Sequence, residues 1–243
     1  DGAAAQMMPG VKQVLAVAPY HGGTGGVAVI ADTPWHAKKA AAAVTVQWDH
    51  GPAATLSSAA VMTQLTQALD QAQGFGYHSV GDVDKALQGA ATTLTADYRA
   101  PYLAHATMEP INCTVQFKDG AASVWTSTQV PGLARMAAAK ALGIDEDKVT
   151  VHQLLLGGGF GRRLEVDYVA QAAAIAKAAD GAPVQTLWSR EQDMQHDFYR
   201  PACVARFKAG LDAQGQLVAW HNVSAGQAIV PQVLSRTFGL PGA

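Results

Sequence analysis

Apolar residues recur along this chain with two different periods, one of strands and one of helices. Near the start, Val11, Val14 and Val17 lead into a Tyr-His-Gly-Gly-Thr-Gly-Gly loop at residues 20–26, and Val27 to Ala31 form a short apolar run. Both runs read as strands, and Pro34 then opens a helix through Lys38, Lys39 and the alanines up to Ala43. A further strand is predicted from Thr45 to Trp48, closed by the turn residues Asp49-His50-Gly51-Pro52. The glycine loop precedes a strand and not a helix N-terminus, so it reads as a connection and not as a phosphate cradle.

Leu56 to Gln73 is predicted to be helical, begun by side-chain capping at Ser57 or Ser58 and ended near Gly74; Gly74 to Gly81 reads as a linker. Two hairpins follow from turn chemistry. One joins Ile111 to Phe117 with Ala121 to Thr126 through Lys118-Asp119-Gly120, the other joins Cys203 to Leu211 with Gln216 to Ala225 through Asp212-Ala213-Gln214-Gly215. In the second, Cys203, Ala205, Phe207, Ala209 and Leu211 alternate with Val204, Arg206, Lys208 and Gly210, so one face should be buried and the other charged. Helices are expected at Gly132 to Leu142, stopped by Gly143, and from about Arg163 to Asp180, stopped by Gly181. The second has no clean polar face, which predicts burial between layers.

Charge and composition narrow the partners. Seventeen basic against nineteen acidic residues leave a net charge of −2, which removes the positive field that nucleic-acid binding requires, so no nucleic-acid partner is expected. No apolar run approaches the ~18 residues that span a bilayer, and the first eight residues lack the basic and apolar regions of a signal peptide, so no membrane insertion is expected. Cys113 and Cys203 stand far apart in predicted strands and read as two buried thiols. Charged residues make up 15% of the chain, well under the roughly 25% usual in globular proteins. That deficit suggests that other protein covers part of this surface.

The stretch with most chemistry is Val149 to Leu156, then Gly157-Gly158-Gly159-Phe160-Gly161-Arg162-Arg163, then the buried helix. A strand, a glycine turn and a helix start can bring backbone N–H groups to an anion. The pattern is neither a dinucleotide fingerprint, since Leu164 stands at the third glycine position, nor a P-loop, since no Gly-Lys-Ser/Thr follows. On pattern alone a tight structural turn is equally possible. His105 and Glu109 could be read as metal ligands, but Pro110 argues against a helix through them, and Glu109 reads better as a buried, hydrogen-bonded structural carboxylate. The other histidines are dispersed, without zinc spacing, and no metal ligand is assigned. Ser123 lacks the glycine frame of a hydrolase nucleophile.

Gly157-Gly-Gly-Phe-Gly161 with Arg162-Arg163, Ser127-Thr128-Gln129, Ala104-His-Ala-Thr-Met-Glu-Pro-Ile-Asn-Cys-Thr114, Trp125 to Gln129, and Ser189-Arg-Glu-Gln-Asp-Met194 through Arg200-Pro201 together resemble the molybdopterin-binding large subunit of the xanthine oxidase family. The likeness covers essentially the whole chain and is nearest to isoquinoline 1-oxidoreductase beta subunits and their aldehyde dehydrogenase relatives. The resemblance implies an α/β (mixed α+β) fold: a partial hammerhead domain at 1–55, a helical connection at 56–90, and the first half of the molybdopterin-binding domain at 91–243. It further implies that Gly158, Gly159, Phe160, Gly161 and Arg162 lie against the cofactor, and that Gln129 donates to an oxygen on the metal. Arg200 falls where some relatives place a substrate-pocket arginine, a catalytic role. Arg162 departs from the Gly-Lys form of xanthine-type members and fits the isoquinoline type.

The implied reaction is hydroxylation of an aromatic N-heterocycle, or oxidation of an aldehyde, with oxygen derived from water. The implied cofactor is the molybdenum cofactor, a molybdopterin with the cytosine dinucleotide as an alternative form, and the implied partner is a [2Fe–2S] small subunit. Relatives of the isoquinoline type are bacterial, and some are exported to the periplasm while others stay in the cytoplasm. The family's general-base glutamate sits in a Gly-x-Gly-Glu type motif that Gly239-Leu-Pro-Gly242 does not match. The chain is therefore expected to be a fragment of the molybdenum subunit, inactive alone and without cofactor, with exposed apolar surface along the helix after Arg163 and near its C-terminal end. The competing expectations are a non-redox nucleotide- or phosphate-binding module using Gly157 to Arg163, and a purely structural domain that docks on partner chains.

Overall fold

The computed structural model describes residues 1–71 and 74–240; the predicted helix end at Gln73 and the terminal Pro241-Gly242-Ala243 lie outside the described residues. In chain order the first elements are α1 (Ala3–Gln6), β1 (Val11–Val17), β2 (Gly26–Ala31), α2 (Pro34–Ala42), α3 (Ser58–Asp70) and α4 (Val83–Gln88). The middle of the chain forms β3 (Thr92–Ala100), β4 (Asn112–Lys118), β5 (Ala121–Thr126), α5 (Pro131–Leu142), β6 (Val149–Gln153) and α6 (Asp167–Lys177). It ends with β7 (Val184–Leu187), α7 (Arg190–Gln195), β8 (Cys203–Leu211), β9 (Leu217–Gly226) and α8 (Ile229–Phe238). Contacts divide these into two compact units. One comprises Asp1–Asp49, Ala104–Phe198 and Val233–Ala243, the other His50–Leu103 and Tyr199–Gln232.

The first unit carries a mixed sheet of order β6-β5-β4-β7. β4 and β5 are the antiparallel hairpin expected from its turn, whereas β5 and β6 run parallel, and α5 supplies the crossover that parallel strands need. α5 and α6 pack together over the sheet, and their alanines fill the interface. Ala134, Ala138 and Ala139 of α5 and Ala172, Ala173 and Ala176 of α6 are buried with Val115, Val124, Leu142, Tyr168 and Val169. Methyl-sized side chains let the helices approach closely, so the low charge of the chain has a cause inside this layer.

The helix after the arginines begins later than its sequence suggests. Gly161 at φ +110 breaks the chain, Arg162–Leu164 form a 3-10 turn, and Glu165 is extended; regular α structure starts only at Asp167. As expected from its lack of a polar face, α6 is nearly all buried, so the apolar exposure anticipated along it is absent. Exposed apolar residues lie at Leu154, Leu155, Leu156, Phe160 and Leu164 ahead of it and, as expected near the C-terminal end, on α8 at Ile229, Val230 and Phe238. The predicted strand Thr45 to Trp48 is also absent. Among the described residues its apolar alternation finds no strand to pair with: Thr45 exchanges backbone hydrogen bonds with Asp1, and a ladder needs a longer partner.

The second unit is an antiparallel sheet of order β3-β8-β9 with α3 and α4 against one face. Ser57 caps α3 as its sequence indicates, accepting from the Ala60 N–H. The two faces of the β8–β9 hairpin are the reverse of the sequence expectation. A Cβ on Gly210 would meet Leu87 and Ala90 beside α4, and Arg206 reaches Asp70 of α3, so the face with Val204, Arg206, Lys208 and Gly210 is the one the helices cover. The opposite face carries Tyr98, Phe207 and Trp220, their rings 5.5 and 5.3 Å apart in sequence, with Tyr98 and Trp220 open to solvent.

Candidate functional site

Arg163 organises the site in the first unit. Its side chain is fully buried, and its planar fork donates to three carbonyls: Nε to Gly158, Nη1 to Ser127 and Nη2 to Glu109. The main chain of Arg163 also works, since its carbonyl accepts from the Gln129 N–H and the Thr128 hydroxyl. Tyr168 adds a second donor to the Ser127 carbonyl. The Ser127-Thr128-Gln129 stretch and the glycine turn, thirty residues apart, are thereby fixed to one another.

Gln129 then closes on the turn. Its Oε1 accepts from the Gly161 N–H at 3.1 Å, and a Cβ on Gly159 would stand only 2.6 Å from that oxygen, so any side chain at 159 would displace the amide from this position. With Oε1 committed, the Nε2 group remains a donor that nothing among the described residues accepts from. The backbone N–H groups of Gly158, Gly159 and Phe160 likewise make no hydrogen bond among the described residues, although Gly159 is buried. Phe160 holds a left-handed φ of +53 with its ring exposed, a conformation that costs a non-glycine residue about 1–2 kcal/mol. Open donors on a turn held in this way form a cradle for a ligand rich in acceptors.

Arg162 is placed differently from a ligand contact. Its guanidinium is 1% exposed, bonded to both oxygens of Asp167 at 2.9 and 3.0 Å, with Nε 3.1 Å from Asp197 Oδ1 at an angle too poor for a hydrogen bond. Burial opposes this charge, but the Asp167 and Asp197 carboxylates outweigh it and push the Arg162 pKa up. Both arginines that a phosphate-binding module would aim at its ligand are therefore turned into the core. Glu109 is hydrogen-bonded as expected, held by Asn112, Ser127, the Gly157 N–H and Arg163, but it is half-buried and not buried, its side chain 30% exposed. Its burial would raise its pKa, yet these donors prevail and hold it below the usual carboxylate range.

Gln129, Gly158, Gly159, Phe160, Gly161 and Arg162 thus lie together in the first unit. Arg200 belongs to the second, exposed, exchanging backbone hydrogen bonds with Leu103. Sequence reasoning passed over Asp167 and Asp197, which compensate Arg162, and weighed His105 only as a metal ligand, whereas its N–H and Nδ1 both face Asp197. Asp197 lies ninety-two residues from His105, and no local spacing reveals such a pair. Burial drives the Cys113 thiol up to about 12, which makes it inert, while Cys203 is only half-buried. Among the described residues no cluster of histidine, cysteine and acidic side chains could hold a metal ion, and no helix is long and apolar enough to cross a membrane.

Comparison with known proteins bears directly on what this cradle holds. The chain is 32% identical over 218 residues to a protein of Gluconacetobacter polyoxogenes named membrane-bound aldehyde dehydrogenase (pyrroloquinoline-quinone), covering 89% of this chain and 28% of that protein. It is 30% identical over 236 residues to isoquinoline 1-oxidoreductase subunit beta of Brevundimonas diminuta, covering 93% and 29%. Among solved structures it is similar to the aldehyde oxidoreductase of Desulfovibrio desulfuricans, with a TM-score of 0.69 at 18% identity over 93% of this chain and 29% of that one. Quinoline 2-oxidoreductase of Pseudomonas putida 86 gives 0.66 at 21% identity over 92% and 33%. These two likenesses establish the mixed α/β fold. The chain spans under a third of the length of the two curated relatives. Residues 66–228, more than half of its length and including the whole glycine turn, match the molybdopterin cofactor-binding domain, and this chain belongs to that family.

Proposed function

We propose that these residues form part of the molybdenum-cofactor subunit of an oxidoreductase that hydroxylates an aromatic N-heterocycle of the isoquinoline kind or oxidises an aldehyde. The observation that carries this reading is the set of open donors on one fixed turn: the N–H groups of Gly158, Gly159 and Phe160 and the Gln129 amide. Such a set fits a cofactor whose sulfur, oxygen and phosphate atoms are all acceptors. When bound, the molybdenum cofactor supplies an electron-accepting metal and activates water-derived oxygen.

In this reading the chain binds and orients. Gln129, held through Oε1, offers Nε2 to an oxygen of the bound group and does not compete as a ligand, because a neutral amide nitrogen donates only. The Gly158-Gly159-Phe160-Gly161 backbone grips the pterin side, the Phe160 ring excludes water beside it, and Arg162 and Arg163 support the turn from within the core. Arg200 is the proposed substrate-pocket cation, stabilising negative charge that develops on the ring nitrogen or carbonyl oxygen. Residues 1–55 are assigned to a partial hammerhead domain, 56–90 to a helical connection and 91–243 to the first half of the cofactor domain. The plain molybdopterin and its cytosine dinucleotide are the two forms proposed for the cofactor, and a [2Fe–2S] small subunit is the electron partner that the family resemblance implies. The name of the Brevundimonas relative as a beta subunit supports such a partner. Because the relatives are more than three times longer, the activity is placed in a complete complex, and the 243 residues alone are expected to be inactive.

The test is to express the complete complex in a host that makes the cofactor and to measure molybdenum, pterin and iron content. Oxidation of isoquinoline and benzaldehyde with a dye acceptor is followed in the same preparations. The expected result is stoichiometric molybdenum and pterin with turnover of one substrate class, lost in Gln129→Ala. A complex without pterin, or turnover by the isolated 243 residues, would overturn the corresponding part.

A further inference from the structure

The segment from His105 to Glu109 runs alongside the glycine turn and meets it at three points. A Cβ on Gly157 would overlap the Glu109 side chain, one on Gly158 would lie 3.4 Å from Thr107 Cβ, and one on Gly161 would lie 3.3 Å from His105 Nε2. This strap is itself held from behind. Asp197 accepts from the His105 N–H and Nδ1, Arg190 donates to the carbonyls of Thr107 and Met108, and Arg163 donates to that of Glu109. Ala106, at φ +48, turns the chain between two of these anchors.

Within the strap, His105 holds an uncommitted polar atom beside the turn. A carboxylate only accepts, so the ring nitrogen facing Asp197 carries the hydrogen, and in the neutral ring Nε2 is left with its lone pair. Nothing among the described residues donates to Nε2, and the side chain is 10% exposed. Gly161 is therefore bordered by two side chains, Gln129 on its N–H and the His105 ring across the space that a Cβ would occupy. We infer that His105 is a positioning residue for this turn: locked by Asp197, its ring sets the Gly161 corner and so determines where the Gly158, Gly159 and Phe160 N–H groups are offered to the bound cofactor. The identity of that ligand rests on the molybdopterin reading; the clamp on the turn does not.

A merely structural His105 would serve only to satisfy Asp197, and His105→Asn separates the two roles. Asparagine places an N–H donor where Nδ1 stands and removes the ring atoms beside Gly161. The complete complex carrying His105→Asn is expected to fold with its iron content intact. It should retain about tenfold less pterin than wild type, the loss typical of removing a supporting contact. Hydrogen exchange across 157–163 should rise by about tenfold, while α6 keeps its protection. Wild-type pterin content together with wild-type exchange across 157–163 would overturn the inference. Should His105→Asn fail to fold, C2-hydrogen exchange of His105 in the unsubstituted complex decides: a rate that differs between cofactor-loaded and cofactor-free protein supports the inference, and an unchanged rate overturns it. If the unsubstituted complex holds no pterin, the molybdopterin reading fails by itself, and the exchange of 157–163 in wild type against His105→Asn still judges the clamp.

Discussion

Arg162 in the first unit and Arg206 in the second each face two aspartates, and their surroundings make them different objects. Arg162 lies between Asp167 and Asp197 with 1% of its side chain exposed, ringed by Phe198, Trp188 and Tyr168 at 5.2, 5.6 and 5.9 Å from its guanidinium carbon. Arg206 lies between Asp97 and Asp70 with 26% exposed. Asp97 and Asp70 raise the Arg206 pKa, but solvent screens both contacts. Inside the protein, removing the Asp167 carboxylate would take away both hydrogen-bonded oxygens of Arg162 and leave only the Asp197 contact at 3.1 Å, where water does not compensate. The same pairing is thus a rigid floor in one unit and a surface tie between sheet and helix in the other, and only the floor stands beneath the candidate site.

The sharpest way to break this comparison is Asp167→Ala. It should destabilise the protein by about 3–5 kcal/mol in denaturant unfolding, with little sensitivity to salt; a loss near zero would mean that water reaches Arg162 and that the floor is no floor. Next in size is Gly161→Ala, which forces a left-handed φ of +110 on a residue with a Cβ close to His105. A loss of about 1–3 kcal/mol is expected, together with reduced pterin content in the complete complex. A stable variant with full pterin would show that the turn is free to adjust.

Glu109 sharpens the picture through pH. Its carboxyl binds its proton less readily in the folded chain than in the unfolded one, where the ordinary value is 4.5. Its stabilising contribution is therefore complete above that value and disappears as pH falls through the lower folded value. Glu109→Gln should flatten the acid side of the stability profile below pH 4.5, and an unchanged acid limb would count against the hydrogen bonds that hold this carboxylate. Arg206→Ala should give the smallest effect, a slight lowering of the unfolding midpoint that added salt erases. A large, salt-resistant loss there would remove the contrast between the two arginines.

Legibility followed the range of each interaction. The two hairpins, the Ser57 cap and the extent of α5 depend on residues within a few positions of one another, and their turn and capping residues identify them directly. The motif Gly157 to Arg163 was also readable, because a glycine series marks a turn whose backbone enters regions that other residues avoid. The faces of β8 and β9 were not. Alternation shows that a strand has two faces, but which one is covered depends on where α3 and α4 land, and charged Arg206 can lie on the covered side because Asp70 and Asp97 meet it there. The false strand at Thr45 to Trp48 shows the same limit from the other direction: apolar alternation was present and a partner strand was not.

The sequence by itself determined the local turns, the close-packed alanine helices and a family resemblance concentrated in one glycine turn. These follow from steric and hydrophobic preferences that act between neighbours along the chain. Only the tertiary structure decided that the paired arginines point inward and that Gln129 spends its oxygen on Gly161 and keeps its amide free. It also decided that Asp197 locks His105 from ninety-two residues away. Each of those outcomes is a choice among hydrogen-bond partners brought together by folding, and a buried donor or acceptor takes whichever partner the packing supplies.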